Sequence, residues 1–161
     1  TEPPQPGEIP PTLAHVMAEV LGQRTATPGR CFFAFWDGWA GLNPVHGFGA
    51  AFAVPGRRYY IYHAPISAAV DRLESRIEPR GSQAVAHVAA HSGMATASTP
   101  HTGIVSTNPP SLWWPDDQAW CVATEIDMAC TYVGCDSGTL RELERSALDV
   151  FQVQPNDAPV G

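Results

Sequence analysis

The chain has 161 residues, a formal net charge of −7 and only 16 % charged residues, and all nine of its basic residues are arginine. Nucleic-acid binding usually needs a basic surface that neutralises phosphates, so this balance argues against a nucleic-acid partner. It permits a basic protein partner or a small polar molecule. The length fits one domain with a hydrophobic core.

The apolar runs, the N-terminal segment and the cysteines indicate where in the cell the protein is located. No apolar run approaches the roughly 18 residues that span a bilayer, and residues 1–8 lack the basic and apolar regions of a signal peptide. We therefore expect no membrane association. The four cysteines form no C-x-x-C pair and are interpreted as reduced thiols of a cytoplasmic protein, with a disulfide in an exported protein as the alternative. They are Cys31, Cys121, Cys130 and Cys135.

The N-terminal part predicts an arm, a helix and a strand. Residues 1–11 are proline-rich and predict a flexible arm, which leaves 12–161 as a single domain. Thr12 is a predicted N-cap for a helix that ends at about Gln23. Its predicted apolar face consists of Leu13, Val16, Met17, Val20 and Leu21. The apolar run Cys31–Trp36 predicts a central strand that is buried on both faces.

The middle of the chain predicts a hairpin, a helix and a long loop. Pro55-Gly56-Arg57 separates two strand-like runs at 50–54 and 58–63, which is typical of a hairpin. Pro65 opens a second amphipathic pattern that extends to about Ile77. Residues 81–112 contain no charged residue, and this segment predicts an uncharged loop excursion from the domain.

The C-terminal third is well patterned and decides the fold class. Strands are predicted at 120–126, 131–133 and 150–153, and Asp136 or Ser137 is the predicted cap of a helix that runs to about Ser146. Strands outnumber helices, and short hairpin connections dominate. The order of elements therefore predicts an α+β fold with a single antiparallel or mixed sheet and helices packed on one face.

Tryptophan and carboxylate side chains concentrate around the segment 113–127. Tryptophan rings stack on sugars, bases or cations, and nearby carboxylates accept hydrogen bonds from hydroxyls or amines. Two groups of such residues are predicted to line one cleft, namely Trp36, Asp37 and Trp39 with Trp113, Trp114 and Asp117. The alternative is architecture, in which Trp114 and Trp120 anchor the core and Asp116 or Asp117 caps a turn.

Glu125 is the candidate catalytic residue. It shares one face of its predicted strand with Asp127, and the preceding residues on that face, Cys121 and Ala123, are apolar or small. A carboxylate on such a face can serve as a general acid if it has no cationic partner. Arg58 is a plausible partner across the sheet, so an ion pair is the alternative interpretation.

Three histidines and one short motif have the spacing of enzyme signatures. His87 and His91 are spaced i,i+4 and, with His101 or a carboxylate, form a possible metal site. The pattern lacks the glutamate of the zinc-protease motif, so no metal is predicted. The run 136–139 spells the D-[ST]-G-[ST] of aspartic proteases, but a helix pattern follows at once and favours a cap. No cofactor motif occurs, so none is predicted.

The run W-W-P-x-D-x-A-W-C-V-A-T-E-I-D at 113–127, followed by T-Y-V-G at 131–134, resembles a family of uncharacterised actinobacterial proteins. The similarity extends to the stretch 35–38 and to the predicted strand at Arg58-Tyr59-Tyr60. The resemblance therefore covers most of the chain outside the arm and the excursion. It implies no particular chemistry.

Two functions compete on this basis. The first is a cytoplasmic binding module, immunity- or antitoxin-like, that recognises a basic partner. The second is a small enzyme or ligand-binding protein with a cleft lined by tryptophans and carboxylates. In the second, Glu125 is the acid–base residue and Tyr60 or Arg58 orients the substrate. The oligomeric state does not follow from the sequence.

Overall fold

A computed structural model describes residues 5–39, 50–70 and 109–157. Its strands form one antiparallel sheet in the order β2-β3-β1-β4-β5-β6. The strands are β1 (Cys31–Trp36), β2 (Ala50–Val54), β3 (Arg57–Ala64), β4 (Leu112–Pro115), β5 (Trp120–Thr124) and β6 (Thr131–Cys135). The helices are α1 (Pro11–Gly22) and α2 (Ser137–Arg145), and a further helical turn begins at residues 68–70. The predicted α+β fold with one sheet is confirmed.

The alternation of side chains along the strands gives the sheet two different faces. On the helix face, buried residues of the central strands pack against α1 and α2 in one hydrophobic cluster. Its largest sheet residues are Phe33, Phe35, Trp113, Trp120 and Val122. The opposite face, here called the aromatic face, carries seven rings among the described residues: Phe32, Trp36, Phe52, Tyr59, His63, Trp114 and Tyr132.

Helix α1 packs on the helix face with a narrower apolar stripe than the sequence predicts. It begins at Pro11, where the fixed proline φ suits the first helical position, rather than after a Thr12 cap. Leu13 is 38 % exposed, so the predicted apolar face is wrong at its N-terminal end. The buried stripe is Ala14, Met17, Ala18 and Leu21. Two of these residues are alanines, which let the helix approach the sheet closely.

The start of the chain is packed where a flexible arm was expected. The Gly7 amide donates to the Met128 carbonyl at 3.0 Å, and Ile9 is only 5 % exposed within the core cluster. Gly7 has a φ of +76°, a conformation that favours glycine. The described residues that precede α1 thus contact the rest of the domain, whereas the sequence predicts a flexible arm there.

The hairpin prediction is confirmed, with one residue of difference. Residues 50–54 and 57–64 pair around Pro55-Gly56, and Gly56 has a φ of +81°. Arg57 is thus the first residue of β3 rather than part of the turn. The predicted helix at 65–77 and excursion at 81–112 lie largely outside the described residues.

The C-terminal third differs from expectation at both ends. Strand β4 begins at Leu112, the last residue of the predicted excursion, and pairs with both β1 and β5. The predicted last strand at 150–153 is wrong, because these residues pair with no strand and Phe151 is 59 % exposed. Helix α2 is capped as predicted, since the Asp136 carboxylate accepts from the Thr139 amide at 2.7 Å.

Candidate binding face

Rings from four adjacent strands contact one another on the aromatic face. Phe32 on the central strand β1 lies 4.9 Å from His63 on one side and 5.6 Å from Trp114 on the other, measured between ring centroids. Phe52 stacks on Tyr59 at 5.2 Å. The rings therefore form one continuous apolar surface, and both described helices lie on the other side of the sheet.

This surface is concave. Phe52 on β2 and Trp114 on β4 have ring centroids only 6.4 Å apart, although β2 and β4 are separated by β3 and β1. Neighbouring strands are spaced about 4.8 Å, so a flat sheet would separate β2 from β4 by about 14 Å. The sheet must curl toward the aromatic face for the two rings to meet.

An arginine bridge closes one end of the concave face. Arg57, at the start of β3, pairs with Glu125, and its second terminal nitrogen lies 3.1 Å from Asp127. Its guanidinium also lies 5.9 Å from the centre of the Trp36 ring. The hydrogen bond with Glu125 raises the pKa of Arg57, so this guanidinium is charged at every physiological pH. Arg57 thus links β3 to the loop after β5 across the ends of β1 and β4.

Trp36, Asp37 and Trp39 lie together at this same end. The Trp39 ring meets the Trp36 ring edge-on at 5.9 Å. Gly38 lies between them, and a Cβ there would overlap the Trp36 ring, so only glycine fits. The Asp37 amide donates to the Arg58 carbonyl at 2.8 Å, which ties this turn to β3 and leaves its carboxylate exposed.

The charge at this end is predominantly negative. The side chain of Asp127 is 77 % exposed and that of Glu125 is 37 % exposed, whereas the Arg57 side chain that pairs with both is only 24 % exposed. The exposed Asp37 adds a third carboxylate. The aromatic face therefore ends in an accessible acidic rim, and Arg57, which pairs with two of its carboxylates, is partly covered.

Three predicted cleft residues lie on the helix face instead. Trp113 is 1 % exposed and packs against Phe33 and Trp120 in the core. Arg58 and Tyr60 point away from the aromatic face, and the Arg58 guanidinium lies 5.4 Å from the Tyr60 ring centre. The adjacent tryptophans separate because successive side chains of a strand point to opposite faces.

Asp117 lies at the other end of β1 and has a structural environment. Its carboxylate accepts from the Thr25 hydroxyl at 2.8 Å and from the Ala26 amide at 2.7 Å, and it also caps the turn at the Ala119 amide. Desolvation opposes ionisation, but these hydrogen bonds lower the pKa of Asp117. Asp117 thus joins the β4–β5 turn to the loop after α1 and is not near Trp36.

The described residues contain no assembled metal or thiol site. No group of three or more His, Cys, Asp or Glu side chains among them is placed to hold a metal ion. His87, His91 and His101 lie outside those ranges. The four cysteines form no disulfide with one another, and burial raises the pKa of Cys31 to about 12, which leaves it an unreactive thiol.

Arg57 and most of the rings that form the aromatic face are absent from the site that the sequence predicts. The sequence predicts Arg57 in the turn, which leaves it outside the strand although it begins the run R-R-Y-Y-I-Y-H. Its period of two would have placed Arg57, Tyr59 and His63 together. Phe32 lies in the run Cys31–Trp36. Because every residue of this run is apolar, the sequence does not indicate which face of the sheet each side chain occupies.

Comparisons with known proteins add no assignment: no family model, curated protein or solved structure gives a significant match. No helix within residues 5–39, 50–70 and 109–157 is long and apolar enough to cross a membrane.

Proposed function

We propose that this protein is a binding module that recognises a basic segment of a partner protein on its aromatic face. One observation carries the proposal: a concave surface of contacting rings ends in an acidic rim on the side of the sheet opposite both described helices. Phe32, Trp36, Phe52 and Trp114 are half-buried and Tyr59 is 6 % exposed, so the rings are partly covered and partly accessible. Aromatic residues of this kind are enriched at protein interfaces.

The chemistry of the rim favours a cationic group. Arginine and lysine side chains bind over tryptophan faces with about 0.5–2 kcal/mol per contact, and arginine also donates paired hydrogen bonds to carboxylates. The molecule itself contains this arrangement, since Arg57 lies over Trp36 and pairs with two carboxylates. The exposed Asp37 and the outer part of Asp127 are open to a second cation.

The rings of the aromatic face suit the apolar side chains of the same partner segment. Binding energy in protein complexes concentrates in a few aromatic or arginine residues that lie in well-packed depressions. Trp114 contacts Phe32 and Phe52 at the centre of the aromatic face. We expect Trp114 to be the residue that contributes most to partner affinity.

The enzyme alternative has less support. It requires Glu125 to act with Tyr60 or Arg58, but both of these side chains lie on the helix face. Glu125 is also the hydrogen-bond acceptor for Arg57. A carboxylate held in this way favours the ion-pair interpretation over general acid–base catalysis.

The proposal also includes a cellular role, a location and a family. The formal charge of −7 would steer a basic partner toward the protein. An immunity- or antitoxin-like role in the cytoplasm fits a module that covers a basic protein. Membership of the actinobacterial family marked by the tryptophan motif is part of the same hypothesis.

A titration followed by tryptophan fluorescence tests the proposal, because Trp36 and Trp114 lie on the aromatic face. A peptide that alternates arginine with aromatic residues should change the emission and bind, whereas the same peptide with glutamate in place of arginine should not. Trp114→Ala should weaken binding at least tenfold, which corresponds to about 1.4 kcal/mol. Phe151→Ala, on an exposed residue outside the sheet, is the matched control and should bind like wild type.

Equal binding of the arginine and glutamate peptides would contradict the basic partner. Unchanged affinity in Trp114→Ala would contradict the aromatic face. Raising the salt concentration should weaken binding of the arginine peptide, because exposed charges are screened over about 10 Å at 0.1 M salt.

A further inference from the structure

We infer that β2 is a self-association surface through which two copies of the chain join their sheets edge to edge. Strand β2 is the end of the sheet order and pairs with β3 on one side only. Its other edge presents backbone N–H and C=O groups that have no strand partner among the described residues. An unpaired edge of this kind is a template for another strand.

Strand β2 lacks the residues that usually prevent such an edge from pairing with another strand. Its five residues read A-A-F-A-V, with no charge and no internal proline. Ala51 and Ala53 are exposed, and Val54 is 43 % exposed. Protected edges in monomeric proteins usually carry lysine, proline or a bulge. The nearest charged residues, Arg57 and Arg58, lie one strand further into the sheet.

A second copy of the same chain is the occupant that fits. An antiparallel pair of identical strands has a two-fold axis, so the same residues meet on both sides without any separate complementary surface. Around an axis near Phe52, the two Phe52 rings would lie opposite each other as a cross-strand aromatic pair. The small side chains of Ala51 and Ala53 leave the other side of the pair unobstructed.

The opposite edge of the sheet is less suitable. Strand β6 contains Gly134, and an interior glycine weakens strand pairing because it offers no side chain to pack. Residue 134 is exposed, and a Cβ there would approach nothing closer than the Cys121 carbonyl at 3.8 Å. Gly134→Lys therefore places a charge on the β6 edge without a clash and serves as a matched control.

Sedimentation velocity over a range of protein concentrations tests the inference. The wild-type chain should be a dimer at micromolar concentrations. A51K/A53K and A51E/A53E should each dissociate at least tenfold more readily, because like charges would face each other across the axis. An equimolar mixture of the two double variants should restore the dimer, while Gly134→Lys should leave it unchanged. Circular dichroism should show native folding in all of them.

Three results would overturn the inference. One is a wild-type protein that sediments as a monomer at all concentrations. The second is a dimer that persists in both double variants, and the third is a dimer that Gly134→Lys disrupts while A51K/A53K does not. Because the readout is mass alone, failure of this inference leaves peptide binding on the aromatic face as a separate question.

Discussion

The two faces of the sheet are built from the same strands but have different physical characters. On the helix face, Trp113 and Trp120 are at most 2 % exposed and are covered by α1 and α2. On the aromatic face, Trp36 and Trp114 are half-buried, chiefly among other rings and charged groups. Neighbouring residues in sequence therefore lie on different faces, so the residues that stabilise the core are separate from those of the proposed binding surface.

The adjacent pair Trp113 and Trp114 makes this separation measurable. Trp113→Ala should lower the free energy of unfolding by about 3–5 kcal/mol, because it leaves a large cavity in a packed core. Trp114→Ala should lower it by only about 1–2 kcal/mol, because its ring is half-buried and contacts two other rings. Urea denaturation of both variants checks the difference. Equal losses would mean that the aromatic face is part of the core.

The arginine bridge should contribute about 0.5–1 kcal/mol, since Glu125 is partly exposed and water screens the pair. Glu125→Gln, Arg57→Met and the double variant, compared by urea denaturation, give the coupling energy between the two side chains. We expect a modest positive coupling that falls with added salt. An unchanged melting temperature in Glu125→Gln, together with loss of a measurable activity, would instead revive the catalytic interpretation.

The smallest effect is expected at Asp117 and depends on pH. The hydrogen bonds that lower the pKa of Asp117 stabilise the folded chain when the carboxylate is ionised. This contribution is present above the pKa of an unfolded aspartate and is lost as the pH falls through the lower folded pKa. Thermal melts of Asp117→Asn should therefore lose less stability on acidification than wild type. The same acid dependence in both proteins would contradict this role.

The sequence predicts best those parts of the fold that depend on turn residues and helix-capping residues. The hairpin around Pro55-Gly56 and the cap of α2 at Asp136 follow from turn and capping residues, and both are present. The predicted strand at 150–153 fails because apolar residues there pack as coil against the core while Phe151 stays exposed. A short run of apolar residues does not guarantee a strand partner.

The candidate site was predicted only in part, because it depends on the curl and register of the sheet. Trp36, Asp37, Trp39 and Glu125 were expected to share a site with Trp113 and Asp117. The structure keeps the first four at one end of the aromatic face and places the other two elsewhere. Arg57 joins them across two intervening strands. A contact across two intervening strands depends on the strand order of the sheet, and the spacing of residues in the sequence does not predict it.

The position of β4 beside β1 has a consequence for how the chain acquires its structure. These two strands form the middle of the sheet, yet the paired residues Ala34 and Leu112 are far apart in sequence. The hairpin of β2 and β3 and the pair of β5 and β6 close short loops, which form on a microsecond scale. Joining β1 to β4 closes a long loop, and such non-local pairing slows folding. The middle of the sheet should therefore be assembled last, as a docking of two preformed halves.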